Sequence, residues 1–277
     1  MPELPEVETV VRQLAPFLMG RKVEGLEIFD PKLDVPEKAL VAGRTVSGIS
    51  RQGKQVVIRL IAGGRGRNSD HSLWLCFHLR MTGRLVIEGR QTGRLKGVKK
   101  HLRARLVLEA GDSLGFYDLR RFGCLNLYRS LDQARPRGLD PLSRFFTARR
   151  LGELIACSRQ EIKPWLLRQD RLTGIGNIYA SEILFAARID PRRPAGLLTG
   201  EQIRCLHRSV RKVLRLAIEH CGTTFSDFQD TRGNSGSFQH LLAVYARQGQ
   251  PCPRCGQPIV RIVQQQRSTF FSPGCQK

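Results

Sequence analysis

Two kinds of hydrophobic periodicity divide this chain, and they limit what it can fold into. Up to about residue 130 the apolar residues fall in short runs suited to strands, at 55–61, 73–79, 102–109 and 124–128, broken by Gly and Asp turns. The exception is the start, where Val7, Val10, Val11, Leu14 and Leu18 recur at helical spacing. From Thr147 the pattern turns helical. Between the two lies Ala134-Arg135-Pro136-Arg137-Gly138-Leu139-Asp140-Pro141, which reads as a linker. The expectation is an α+β chain of several domains: a β-rich domain carrying an N-terminal helix over 1–130, a linker over 131–146, and a helical domain from 147.

Within the helical half, Thr199 and Gln202 match a capping box. They open a helix with Ile203, Leu206, Val210, Val213, Leu214 and Ile218 on one face. A shorter helix follows Gly174-Ile175-Gly176-Asn177, with Asn177 as its N-cap. Glycines there let backbone amides approach a phosphate at the positive end of a helix. The chain ends with Cys252-x2-Cys255, sixteen residues, then Ser272-x2-Cys275. With Cys at 272 this would be the spacing of a four-thiolate zinc ribbon. Residues 258–263 and 267–271 suit a β-hairpin. The other cysteines are scattered; Cys76 lies in an apolar run and reads as a buried small hydrophobe. No disulfide framework is evident.

The net charge is +22, from 46 basic against 24 acidic residues, and 36 of the basic residues are Arg. Arg is the better fork for phosphate oxygens, so the excess points to a polyanionic partner. With 277 residues and 41% hydrophobic content the chain can build two cores. No apolar stretch approaches the ~20 residues of a membrane span, and no signal peptide is recognisable.

The first residues carry a chemical possibility of their own. Initiator methionine is usually removed before a small residue, and its removal would leave Pro2 as an N-terminal secondary amine. Such an amine titrates at roughly 8 and can attack a sugar C1′ to form an iminium. Glu3 and Glu6 stand within a few residues of it. Taken alone, Pro5, Glu6 and Glu8 are equally ordinary helix-start chemistry.

Together these segments resemble the formamidopyrimidine-DNA glycosylase family. The resemblance spans essentially the whole chain. It rests on Pro2-Glu3-Leu4-Pro5-Glu6-Val7-Glu8-Thr9, His78-Leu79-Arg80-Met81-Thr82-Gly83, Asp118-Leu119-Arg120-Arg121-Phe122-Gly123, Ile162-Lys163-Pro164-Trp165-Leu166, Gly174 to Glu182, and the C-terminal hairpin. Leu4 favours this family over its relative, endonuclease VIII, which typically has Gly there. The resemblance implies an N-terminal β-sandwich, a helix-two-turn-helix domain over 147–240, and a zinc-finger-type β-hairpin over 241–277. It implies a bifunctional enzyme of base-excision repair. That enzyme removes oxidised purines from duplex DNA and then cleaves the strand at the abasic site by β,δ-elimination.

By the same resemblance Pro2 is the nucleophile, Glu3 the acid that moves protons, and Lys54 and Arg267 the cations aiding β- and δ-elimination. Glu6 and Glu182 are further acidic residues of the site, with structural roles equally open. Met81, Arg120 and Phe122 fill the gap left by a flipped nucleotide. His101, Arg159, Lys163 and Asn177 fall where the family contacts the DNA backbone. Zn2+ is the implied cofactor, on Cys252, Cys255 and Cys275.

The chain departs from the pattern at three places. Ser272 replaces a zinc-binding Cys, and two outcomes stay open: weak zinc binding by three thiolates and water, or a zinc-free hairpin held by Ile259, Ile262, Phe270 and Phe271. Arg80 stands beside Met81 where a small residue is more usual, and the loop at 62–71 is long. Two alternatives remain: an endonuclease VIII-like enzyme for oxidised pyrimidines, decided near 223–237, and a non-catalytic nucleic-acid-binding protein. Expected partners are duplex DNA with oxidised bases and no membrane, for a monomer in a bacterial-type cytoplasm.

Overall fold

The computed structural model describes residues 1–62, 72–89, 99–224, 231 and 236–277. The expected long loop after Ala62 and most of the segment 223–237 lie outside these residues. The chain forms two compact units. One comprises Met1–Arg135 with Cys221–Ser237, the other Pro136–His220 with Phe238–Lys277. The sequence pattern places 221–237 in the helical domain, and the hairpin in a domain of its own. Contacts group 221–237 with the N-terminal unit and the hairpin with the helical one.

The first unit opens with α1 (Leu4–Leu18), whose Val7, Val10, Val11, Leu14 and Leu18 are all buried, as their spacing predicts. Two four-stranded antiparallel sheets follow. One runs in the order β1 (Val23–Ile28), β6 (Leu102–Leu108), β7 (Ser113–Asp118), β5 (Gly83–Glu88). The other runs β2 (Arg44–Gln52), β3 (Gln55–Ala62), β4 (Leu73–His78), β8 (Cys124–Tyr128). Leu26 and Leu106 from the first sheet, Ile58 and Leu75 from the second, and Leu14 of α1 share one apolar cluster. Truncating a leucine in such a cluster to alanine costs about 2–5 kcal/mol. Cys76 is fully buried on the opposite face of β4, beside Val57 and Ala134.

A short α2 (Leu131–Ala134) closes this part of the chain. The second unit contains α3 (Ala148–Ile155), α4 (Ile162–Leu166), α5 (Asn177–Ala187) and α6 (Gly200–Glu219). The Thr199–Gln202 capping box forms in both directions, at 3.2 and 3.0 Å. Asn177 is not the N-cap of α5: Gly176 takes that position and Asn177 is the first helical residue. The hairpin pairs β9 (Val260–Gln264) with β10 (Arg267–Phe271) through Gln265 and Gln266, both at positive φ (45° and 61°). A two-residue hairpin turn that matches the strand twist requires that geometry. Phe185 of α5 packs with Val244, Cys252, Ile259 and Phe270, so the hairpin shares a core with the helices.

Candidate functional site

The N-terminal residues are fixed by α1 itself. Glu3 and Glu6 form a capping box in which the Glu3 amide donates to Glu6 Oε2 at 2.7 Å. Glu6 Oε1 accepts the Thr223 amide at 2.7 Å. One carboxylate thus ties the start of α1 to the start of the 223–237 segment. Gly222, at φ +78°, lies so close that a Cβ there would stand 2.6 Å from Glu6 Oε1. Pro2, Glu3 and Glu6 are all buried.

Lys54 sits in the tight turn between β2 and β3, where Gly53 adopts φ +60°. The turn is held against α1 by Arg51, which pairs with Glu8 (3.1 Å) and donates to the Gly53 carbonyl (3.1 Å). The Lys54 side chain is buried, and its charge acts on His78 of β4. Burial, with the charges of Arg80 and Lys54, pushes the His78 imidazole down to about 4. It is therefore neutral at pH 7, and its Nδ1 accepts the Arg80 amide at 3.1 Å. Arg80 itself adopts φ +53°. A small residue, glycine above all, suits that left-handed backbone, which gives the unusual Arg80 a physical setting.

The loop bearing Met81 and the loop bearing Arg120 and Phe122 are joined through Asp118. Asp118 Oδ1 accepts hydrogen bonds from the Thr82 hydroxyl and the Arg120 amide, and Oδ2 accepts the Gly123 amide at 2.7 Å. The Arg120 guanidinium reaches Met81 Sδ at 3.6 Å. Met81 and Phe122 are 38% and 57% exposed, unusual for large apolar side chains beside a closed core. The loop is braced from below by Arg121, whose guanidinium grips both oxygens of buried Asp30 and holds that carboxyl at about 2. Asp118, Thr82 and Asp30 were not singled out from sequence as supports. Thr82 and Asp118 stand inside the two quoted motifs, and Asp30 lies outside both.

The second unit takes three of the candidate residues into its own packing, Lys163 and Glu182 buried and Asn177 half-buried. Lys163 was expected to touch the DNA backbone, yet it is fully buried. Its ammonium donates to Asn177 Oδ1 (2.6 Å), the Ser268 carbonyl (3.0 Å) and Thr269 Oγ1 (2.8 Å). Asn177 Nδ2 also donates to the Ser268 carbonyl, at 3.0 Å. Both side chains bind the hairpin to the helices, Lys163 fully buried and Asn177 half-buried. Glu182 is likewise buried and accepts the amides of Ala243, Val244 and Tyr245 at 2.8–3.0 Å. Burial raises its pKa against the pull of those amides. A carboxylate so engaged anchors the backbone at 243–245.

Arg267 opens β10 directly after the hairpin turn and is exposed. Arg159 is exposed ahead of α4, and His101 is half-buried at the foot of β6. Cys252, Cys255 and Cys275 bring their sulfurs within 4.8 Å of one another. Cys252 Sγ and Cys275 Sγ are 3.8 Å apart. A tetrahedral zinc with Zn–S bonds of about 2.3 Å separates its sulfurs by about 3.8 Å, so the donors present fit this metal.

An α1-led β-sandwich, a helical unit and a thiol-bearing hairpin together define a DNA-glycosylase architecture. Three sequence-family models match in that order: the formamidopyrimidine-DNA glycosylase N-terminal domain over residues 1–125, the formamidopyrimidine-DNA glycosylase H2TH domain over 137–229, and the zinc finger found in FPG and IleRS over 249–277. The formamidopyrimidine-DNA glycosylase of Chloroflexus aurantiacus is 42% identical over 286 residues, covering 100% of this chain and 98% of its own. The crystal structure of MutM (Fpg) from Thermus thermophilus superposes with a TM-score of 0.85 at 39% identity, covering 99% of this chain and 98% of that one. Lactococcus lactis Fpg, in complex with DNA containing an oxidised pyrimidine, gives 0.85 at 32% identity with both chains fully covered. The chain belongs to the formamidopyrimidine-DNA glycosylase family of bifunctional glycosylase and abasic-site lyase enzymes. Its three clustered cysteines lie within the matched zinc finger and form a potential zinc site. Among the described residues no helix is long and apolar enough to cross a membrane.

Proposed function

We propose that this enzyme excises oxidised purines, 8-oxoguanine and formamidopyrimidines, from duplex DNA through an iminium on Pro2, and then cleaves the strand by β,δ-elimination. The target nucleotide is rotated out of the stack, because its C1′ is inaccessible inside the duplex. Met81 and Phe122 enter the vacated space, and Arg120 hydrogen-bonds the orphaned opposite base.

While Met1 is attached, the Pro2 nitrogen is an amide and its lone pair is delocalised. Removal of Met1 creates the nucleophile. The amine attacks C1′, the C1′–N9 bond breaks, and the base leaves with a proton. Glu3 supplies and recovers protons through base departure and sugar-ring opening. The resulting C1′ iminium acidifies C2′, and loss of that proton expels the 3′ phosphate. A second elimination expels the 5′ phosphate. Lys54 and Arg267 hold these phosphates and stabilise the charge that builds on them. His101, Arg159 and the N-terminal end of α5 add backbone contacts.

The observation that carries this reading is the joined N-terminus: Glu3 and Glu6 locked in one capping box directly after Pro2, in a chain that matches a formamidopyrimidine-DNA glycosylase over its full length. The test is borohydride trapping on a duplex with one 8-oxoguanine opposite cytosine, after mass spectrometry of the N-terminus. Protein lacking Met1 is expected to give an adduct that peptide mapping assigns to Pro2, and Met1-retaining protein none. An adduct on a lysine would overturn the Pro2 assignment. Because the Lactococcus lactis enzyme is seen with an oxidised pyrimidine, a duplex carrying one belongs beside the purine; faster turnover of it would move the substrate class.

A further inference from the structure

We propose that Ser272 is itself a metal ligand, so that the hairpin holds zinc through three thiolates and one hydroxyl, in a site built to exchange its metal. The proposal rests on the zinc-finger reading of residues 249–277.

The first argument is the backbone. The Cys252-Pro253-Arg254-Cys255-Gly256 turn is closed by the Gly256 amide donating to the Cys252 carbonyl at 2.9 Å. The Ser272-Pro273-Gly274-Cys275-Gln276 turn is closed in the same way, by the Gln276 amide donating to the Ser272 carbonyl at 3.0 Å. The two knuckles share residue spacing, a proline at the second position and the closing bond. Ser272 therefore occupies the place in its turn that Cys252 occupies in the first.

Distance is the second argument. Ser272 Oγ lies 3.5 Å from Cys255 Sγ. A tetrahedral zinc with Zn–S of about 2.3 Å and Zn–O of about 2.1 Å separates sulfur from oxygen by about 3.6 Å. The thiol edge from Cys252 to Cys275 meets its own expectation equally well. Oxygen thus stands where a fourth donor belongs.

The third argument is how firmly Ser272 is held. It is fully buried, and its amide donates to Gln276 Oε1 at 2.9 Å. Gln276 Nε2 in turn donates to the Ile189 carbonyl beyond the end of α5, at 2.9 Å. The hydroxyl is presented by a rigid turn anchored to the helices, and needs no rearrangement to ligate.

The chemistry sets the consequence. A hydroxyl oxygen donates a lone pair without bringing the charge of a thiolate and is a harder donor than sulfur. The site carries one negative charge less than a four-thiolate site, and its oxygen bond is the weakest of the four. The metal is held, but released to competitors that a four-thiolate finger resists.

The test uses the full-length enzyme, its Ser272→Cys and Ser272→Ala variants, zinc release to a colorimetric chelator, and visible spectra after Co2+ substitution. The wild type is expected to bind one metal ion per chain in a tetrahedral field. Ser272→Cys should hold zinc about tenfold or more tighter and strengthen the sulfur-to-cobalt charge-transfer band. Ser272→Ala should release zinc at lower chelator concentrations and shift the cobalt bands, as water replaces the hydroxyl. Identical spectra and affinity for Ser272→Ala and wild type would overturn the ligand assignment while leaving the zinc finger intact. Metal binding by Ser272→Cys alone would overturn it in another way, by a wild-type hairpin that takes no metal. If none of the three proteins binds metal, both the proposal and the zinc-finger reading fall.

Discussion

The Thr82 hydroxyl donates a hydrogen bond to Oδ1 of Asp118, a residue 36 positions further along the chain. The same Thr82 oxygen accepts the Arg120 amide at 3.1 Å. The loop bearing Met81 and the loop bearing Arg120 and Phe122 are therefore one assembly, and Asp118 is its buried centre.

Replacing Asp118 with Asn turns one acceptor oxygen into a donor facing the Gly123 amide or the Thr82 hydroxyl. The expected loss is about 1–3 kcal/mol of stability in chemical denaturation. Displacement of the wedge by as little as an ångström should slow single-turnover base excision by about a hundredfold. Binding to undamaged duplex should change far less. Unaltered excision in a stable Asp118→Asn protein would show that the wedge keeps its shape without this centre.

Lys163 and Arg267 should separate in their salt dependence. Lys163→Met leaves Asn177 Oδ1, the Ser268 carbonyl and Thr269 short of a donor, at a cost of about 3 kcal/mol. Its effect on DNA affinity should be the same at every salt concentration, since no phosphate contact is lost. Arg267→Ala should leave stability nearly unchanged and flatten the slope of log affinity against log salt by about 1. A flattened slope for Lys163→Met would restore it as a direct phosphate contact.

Stability should fall as the solution is acidified from about pH 6.5 to about 4, in part through His78. Its folded-state pKa, about 4, lies below the ordinary 6.5. Between those values the unfolded chain binds a proton that the folded chain refuses, so stability is present above 6.5 and lost as pH falls through the window. The contribution is at most about 3 kcal/mol. In His78→Asn, whose side-chain oxygen can still accept the Arg80 amide, denaturant midpoints should vary less over this range. An unchanged pH profile would assign the acid sensitivity to other groups.

Glu182→Gln tests whether this acid is structural. The amide presents NH2 to backbone donors at 243–245, and about 2–3 kcal/mol of stability should be lost, with faster hydrogen exchange at Ala243, Val244 and Tyr245. The folded fraction should excise base at close to the wild-type rate. A large drop in the rate of fully folded protein would return Glu182 to the chemistry.

The elements with strong local signals are legible in the sequence alone. Helical spacing from Val7 to Leu18 marked α1, a capping box marked α6, and runs of apolar residues marked β3, β4, β6 and β8. Residue type could not separate a cation that meets phosphate from one that meets carbonyls. Lys163 is an ordinary lysine in sequence, and only long-range contact with Ser268 and Thr269 shows that it is buried. Asn177 has the right chemistry for an N-cap, but its side chain is taken by the same contact, and the cap moves to Gly176. Asp118 carries no signature beyond its position before Leu119, because its partners lie both near it and in a distant loop.

Because Cys221–Ser237 packs with the N-terminal unit, that unit is discontinuous in the chain. On the ribosome, residues 1–135 emerge well before the segment whose Thr223 amide completes the bonding of Glu6. The start of α1 thus reaches its final form only after the helical insert has been synthesised. A fragment ending near residue 130 would carry Pro2, Glu3 and Lys54 but lack the chain that finishes their setting.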